Sequence, residues 1–240
     1  MVFSGRPAVR KLLACLAVVA LMAACGGGEE PSAEDSPAQN NAPTSEMGDA
    51  LLAAGDLPPG WELLNPGSQS SEVGEGESGF CGTPVPGTEG STGSADVQFS
   101  KGEVTTRLVE NVVRYFSVEQ ATAAFDRVEQ AVQNCKEWDV EADDTVTTFT
   151  LAPAPFPNLA DETVAVKVNG EFTVSGEAAD GGPPTDGFVT GDTVAVRQQS
   201  TIIVIRHFAI GLGTRPTLAT AETEPISRRA VEKVMQAAAP

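Results

Sequence analysis

The residues best placed to do chemistry are the four cysteines, because a thiol can be acylated, oxidised or made a metal ligand, and its neighbours decide which. Cys25 closes the run Leu21-Met22-Ala23-Ala24-Cys25, behind a basic opening (Arg6, Arg10, Lys11) and an apolar stretch from Leu12 to Met22. That stretch is too short to span a bilayer as a mature helix and suits the hydrophobic region of a signal peptide. Small residues directly before a cysteine make a lipobox. Cleavage there leaves Cys25 as the mature N-terminus, with its thiol carrying diacylglycerol. Each buried methylene contributes about 0.8 kcal/mol, so two or more acyl chains hold a protein durably where one does not. Residues 1–24 are therefore expected to be a lipoprotein signal peptide. The chain is expected at the cell membrane, lipid-anchored and facing outside the cytoplasm.

Cys15 leaves with the signal, so Cys81 and Cys135 remain as an even pair in an oxidising compartment and are expected to be bridged. The loop they close has 53 intervening residues, for which chain entropy gives at most about 4 kcal/mol. Two cysteines and one histidine make poor zinc ligands, and neither a metal nor a cofactor is expected.

Other patterns fall away on inspection of their context. Gly74-Glu75-Gly76-Glu77-Ser78-Gly79 fits the dinucleotide-binding pattern, yet no strand leads in, no helix leads out, and two glutamates would face the pyrophosphate. His207, the one histidine, sits in an apolar strand pattern and reads as structural, and no Gly-x-Ser-x-Gly elbow or His-Glu-x-x-His helix is present. Glu137, Asp139, Glu141 and Asp143 alternate with Trp138, Val140 and Ala142, which lines carboxylates along one edge of an extended segment. Their spacing matches no EF-hand loop and reads as a solvated acidic face.

The elements that would position such residues follow from composition and periodicity. Asp and Glu number 33 against 15 Lys and Arg, a formal charge of -18; the signal carries three basic and no acidic residues, so the mature chain reaches about -21. Such a field repels phosphate backbones, which argues against a nucleic-acid partner. Residues 25–46 are Gly-, Glu-, Ser- and Pro-rich, with too little apolar surface to offset the entropy of ordering, and read as a disordered tether. Residues 47–240 form one domain.

Within it, Met47 to Ala54 reads as a short helix ended by Gly55 and the Pro58-Pro59 pair. Ala95–Ser100 alternates as a half-buried strand, while Thr105–Phe116 slips phase, implying a bulge or burial on both faces. Ser117 and Gln120 form a capping box for a helix whose apolar stripe runs from Ala121 to Cys135. Thr145–Leu151 is a strand. Asn169-Gly170 predicts a bulged hairpin pairing Val166 with Phe172 and Val164 with Val174. Asp186-Gly187 marks a loop, Asp192–Gln198 and Thr201–Phe208 a final hairpin, and Glu222–Ala238 a closing helix with Thr223 as its cap.

The order Leu57-Pro58-Pro59-Gly60-Trp61, Cys81, a strand into Tyr115-Phe116-Ser117, a helix from Glu119 to Cys135, Trp138, an apolar hairpin and a closing helix resembles one actinobacterial family. It is similar to the extracytoplasmic sensor-like domain of mycobacterial receptor serine/threonine kinases, found also on free-standing lipoproteins. The resemblance implies an α+β fold with an antiparallel sheet of about six strands, helices packed on one face, and a cleft with a ligand-binding role and no catalysis. The cleft is expected between the sheet and the segment Asn65–Ser94, with Trp61, Tyr115 and Trp138 as ligand contacts or core. The expected partners are the membrane, through the lipid on Cys25, and a small ligand or a cell-envelope protein. The rival classes are a carboxylate-dependent hydrolase of envelope glycans and a structural or assembly factor of the envelope.

Overall fold

Ile202-Ile203-Val204-Ile205 is apolar in both strand phases, so the strand that carries it must be covered on both sides. In the computed structural model, which describes residues 44–65, 69–70, 80–81, 83–84, 86, 90–102, 106–142, 145–174 and 184–238, all four are fully buried in β9 (Thr201–Leu212). Ile203 and Ile205 join a core with α1 (Thr44–Ala50) and α3 (Thr223–Ala237), while Ile202 and Val204 join a second core with α2 (Val118–Asn134). Helices therefore lie on both faces of the sheet, which corrects the expectation of one covered face. A strand apolar on both sides has no solvent-facing side to offer.

The fold is α+β, with one antiparallel sheet of nine strands where about six were expected. Besides β9 these are β1 (Trp61–Asn65), β2 (Gln69–Ser70), β3 (Ser91–Lys101), β4 (Thr106–Tyr115), β5 (Glu137–Ala142), β6 (Thr145–Pro153), β7 (Glu162–Val174) and β8 (Thr185–Gln198). They run in the order β1-β3-β4-β9-β8-β7-β6-β5, with β2 also paired to β3. The additional strands are the short ones near the edges, where one buried face of a few residues leaves little periodicity to read.

β4 keeps an unbroken register with β9 from Thr106 to Arg114. Its phase slip is burial on both faces, with Leu108 and Val112 in the first core and Val113 and Tyr115 in the second. α2 starts as expected, Ser117 Oγ accepting from the Gln120 backbone N–H at 3.3 Å, and it buries Ala121, Ala124, Phe125, Val128, Ala131 and Val132. α1 begins at Thr44, three residues before the expected start, and a 3-10 turn at Ala54–Asp56 follows.

The hairpin expected at Asn169-Gly170 does not form. β7 runs straight through it, pairing Asn169 with Thr190 and Gly170 with Val189 on one side and Gly170 with Phe149 on the other. The glycine makes room for a neighbour: a Cβ on Gly170 would lie 2.7 Å from Phe149 Cε1 and 3.2 Å from Val189 Cβ. Gly187, expected in a loop, is likewise inside β8 beneath the Phe172 ring opposite it. A glycine in a strand that admits an aromatic ring has the same letters as a turn glycine.

Candidate functional site

Trp61 opens β1 opposite Lys101 at the end of β3, and these two meet Glu222, the residue before α3. The indole Nε1–H donates to Glu222 Oε2 at 3.3 Å and Lys101 Nζ donates to Oε1 at 2.6 Å. Lys101 Nζ also lies 5.7 Å from the centre of the Trp61 ring, within cation–π range. The Lys101 hydrogen bond, aided by that of Trp61, holds the Glu222 carboxyl below its usual range. The face of the sheet carrying Trp61 is thus closed at this corner by a satisfied polar group.

Behind Trp61 stands His207, their rings edge to face at 5.5 Å. His207 is 1% exposed on β9, directly opposite Asp192 of β8. Thr223, the first residue of α3, donates its hydroxyl to Asp192 Oδ2 at 2.9 Å and lies 3.0 Å from His207 Nδ1. A threonine hydroxyl has one hydrogen. With that hydrogen on Asp192, His207 must carry its own on Nδ1 and donate to Thr223, which assigns the tautomer and leaves Nε2 as a bare acceptor. Among the described residues Nε2 has no hydrogen-bond partner. Burial lowers the His207 pKa against the opposing pull of Asp192 and Glu222, so the ring is neutral at pH 7. Asp192 also receives Lys167 Nζ at 3.4 Å.

Chemically this is an acid, a hydroxyl and an imidazole in line, sealed from solvent. A general base must reach a substrate proton, and Nε2 is buried away from any such approach. The chain instead ties the first turn of α3 to the middle of the sheet. Thr223, expected as the helix cap, makes no capping bond; Glu222 holds that position, and the Thr223 side chain turns inward.

Tyr115 and Trp138 lie on the opposite face, with α2 and the disulfide. Cys81 and Cys135 are bridged, their Cα atoms 5.7 Å apart, and Cys135 is the buried C-cap of α2. Phe80, next to Cys81, meets Trp138 edge-on at 5.7 Å, and Trp138 stacks on Phe149 at 5.1 Å. Tyr115 is buried in the same core, and burial pushes its hydroxyl up to about 12. The structure therefore separates the three aromatics: Trp61 packs on one side of the sheet, Tyr115 and Trp138 on the other. Cys25, Gly74–Gly79 and most of the Asn65–Ser94 segment proposed as a cleft wall lie outside the described residues. Glu137, Asp139 and Glu141 are exposed along the edge strand β5, and Asp143 is outside the described residues. Among the described residues no group of three or more His, Cys, Asp or Glu side chains is placed to hold a metal ion.

Three ionisable groups escaped the sequence reading, Glu110 and Arg107 buried and Arg206 half-buried. Glu110 of β4, wholly buried, accepts the Leu52 backbone N–H at 2.7 Å on Oε2 and has no partner on Oε1 among the described residues. Burial pushes its carboxyl up to about 8. Arg107 and Arg206 stand on the α2 face, on β4 and β9, outside the core that α2 covers. Alternation alone could have marked them, since each holds an inward position in a strand whose neighbouring inward residues are apolar.

No family model matches this chain, and no curated protein matches it in sequence. Among solved structures, it is similar to the extracellular domain of PknH from Mycobacterium tuberculosis, with a TM-score of 0.52 and 10% identity over 82% of this chain and 96% of that one. At that identity the likeness is one of fold, and it spans nearly the whole of the mycobacterial domain. The resemblance to mycobacterial kinase sensor domains drawn from the order of sequence markers thus has its structural counterpart.

Proposed function

We propose that this chain is a membrane-anchored bacterial lipoprotein whose folded domain is a non-catalytic, extracytoplasmic module that binds a ligand, in the manner of a sensor domain. The observation that carries the reading is the fold, which takes in 96% of the extracellular domain of PknH. The Cys81–Cys135 bridge supports export, because such bonds persist outside the cytoplasm. The lipobox at Leu21–Cys25 supplies the anchor. Among the described residues no helix is long and apolar enough to cross a membrane.

Fractionation of cells expressing the native chain and Cys25→Ala tests the anchor. The native protein is expected in the membrane fraction and open to protease added outside the cell, and Cys25→Ala is expected to leave that fraction. Equal membrane partition of both, or protection of the native chain inside intact cells, contradicts the reading.

A further inference from the structure

Arg107 is 8% exposed, its Nη1 is fully buried, and that atom has no hydrogen-bond partner among the described residues. Guanidinium stays charged in proteins, and a buried charge costs several kcal/mol unless an opposite charge or a set of acceptors meets it. At Arg197, whose side chain is 11% exposed, that need is met by the carboxylates of Asp161 and Glu162. Arg107 makes no such pair among the described residues, and burial is what moves its guanidinium below the ordinary value. The group therefore stays charged with one buried arm unmet among the described residues.

A second cation adjoins it. Arg107 lies opposite Phe208, and Arg206 opposite Val109, so the two arginines are diagonal neighbours on the same face of adjacent strands, within reach for long side chains. Arg206 Nη1 donates to Asn111 Oδ1, which fixes its fork, and burial pushes its guanidinium down to about 10. Val109 and Phe208 bring apolar surface between the charges. Two like charges repel at this separation, and an anion between them relieves both the repulsion and the unmet donor.

We propose that Arg107 and Arg206 form the binding site of an oxyanion, a carboxylate or phosphate group, on the sheet face beyond α2, with Phe208 and Val109 beside it. A guanidinium fork matches such a group with two parallel N–H···O bonds. The group can arrive as a free ion or as the head of an amphiphile whose chain lies on the apolar neighbours. This inference rests on the ligand-binding part of the reading above and is independent of the anchor.

The test is calorimetric titration of the purified full chain at low salt with inorganic phosphate and, separately, with dihexanoyl phosphatidic acid below its micelle concentration. Saturable binding of phosphate assigns a free oxyanion. Binding of phosphatidic acid alone assigns the head of an amphiphile. In either case Arg107→Met is expected to weaken binding at least tenfold, while Arg228→Met, on the outer face of α3, leaves it unchanged. No saturable binding of either probe by the native chain, or equal affinity in Arg107→Met, overturns the site. Should Arg107→Met fail to fold, Arg107→Lys, which keeps the charge and loses the fork, is expected to weaken binding as well, and the native titration decides on its own. A negative titration leaves the ligand-binding reading standing if intact mass analysis still finds a bound molecule.

Discussion

The Glu110 carboxyl accepts the backbone N–H of Leu52 at 2.7 Å in the middle of a hydrophobic core, and thereby fastens the chain after α1 to the fourth strand. Burial raises its pKa from 4.5 to about 8, so the folded protein keeps a proton there that the unfolded chain releases. Stability must then fall as pH rises through that window. Glu110→Gln retains an acceptor for Leu52 and cannot ionise. Its advantage over the native chain is expected to be near zero at about pH 4.5 and to grow to the order of a few kcal/mol by about pH 8. Urea unfolding across that range checks it; an advantage that shrinks with rising pH contradicts the assignment.

Thr223→Val removes the hydroxyl between Asp192 and His207 and leaves both buried polar groups without it. A loss of about 1–3 kcal/mol is expected. Nitrogen NMR of the imidazole should report a proton on Nδ1 in the native protein and a changed tautomer ratio in the variant. A native ring protonated on Nε2 would refute the relay.

Gly170→Ala discriminates between a turn glycine and a strand glycine. The backbone at Gly170 is extended, so strain from the left-handed region plays no part, and the added methyl collides with Phe149 instead. A loss of about 1–3 kcal/mol is expected from overpacking. Phe149→Leu in the same chain should recover part of it, and recovery by no change at Phe149 would mean the contact is not the cause.

How much of this could be read from the letters depends on range. The α2 stripe, its Ser117 cap and the Cys81–Cys135 bridge were legible because each rests on local spacing or on the parity of thiols in a chain read as exported. The hairpin at Asn169-Gly170 was misread because a glycine that yields to a ring looks like a glycine that turns, and the ring belongs to Phe149, 21 positions earlier. Thr223 serves Asp192 across 31 positions, and Glu110 serves Leu52 across 58, distances over which a single sequence carries no pairing signal. Trp61, Tyr115 and Trp138 were read as ligand contacts or core, and their placement on opposite faces needed the strand register. Two-sided burial of β9 was visible in the sequence, and its consequence, helices on both faces, follows directly from it.

Replacing both Cys81 and Cys135 by serine opens a loop of sequence separation 54. The expected loss is about 2–4 kcal/mol, and the unfolding slope with denaturant should rise as the unfolded chain expands. Chemical reduction of the native chain should give the same midpoint as the double variant. A midpoint unchanged by either treatment would show that the bridge does not hold α2 to Phe80 and Trp138.

The central claim, a lipid-anchored extracytoplasmic domain that holds a ligand, is tested most directly by native mass spectrometry of the full chain extracted in mild detergent from its own host, before and after denaturation. The polypeptide is expected to begin at Cys25 with added acyl mass, to be two hydrogens lighter than its reduced form, and to carry a further reproducible mass that denaturation releases. A chain that still begins at Met1 without acyl mass contradicts the anchor, and a processed chain whose mass is the same before and after denaturation contradicts the ligand.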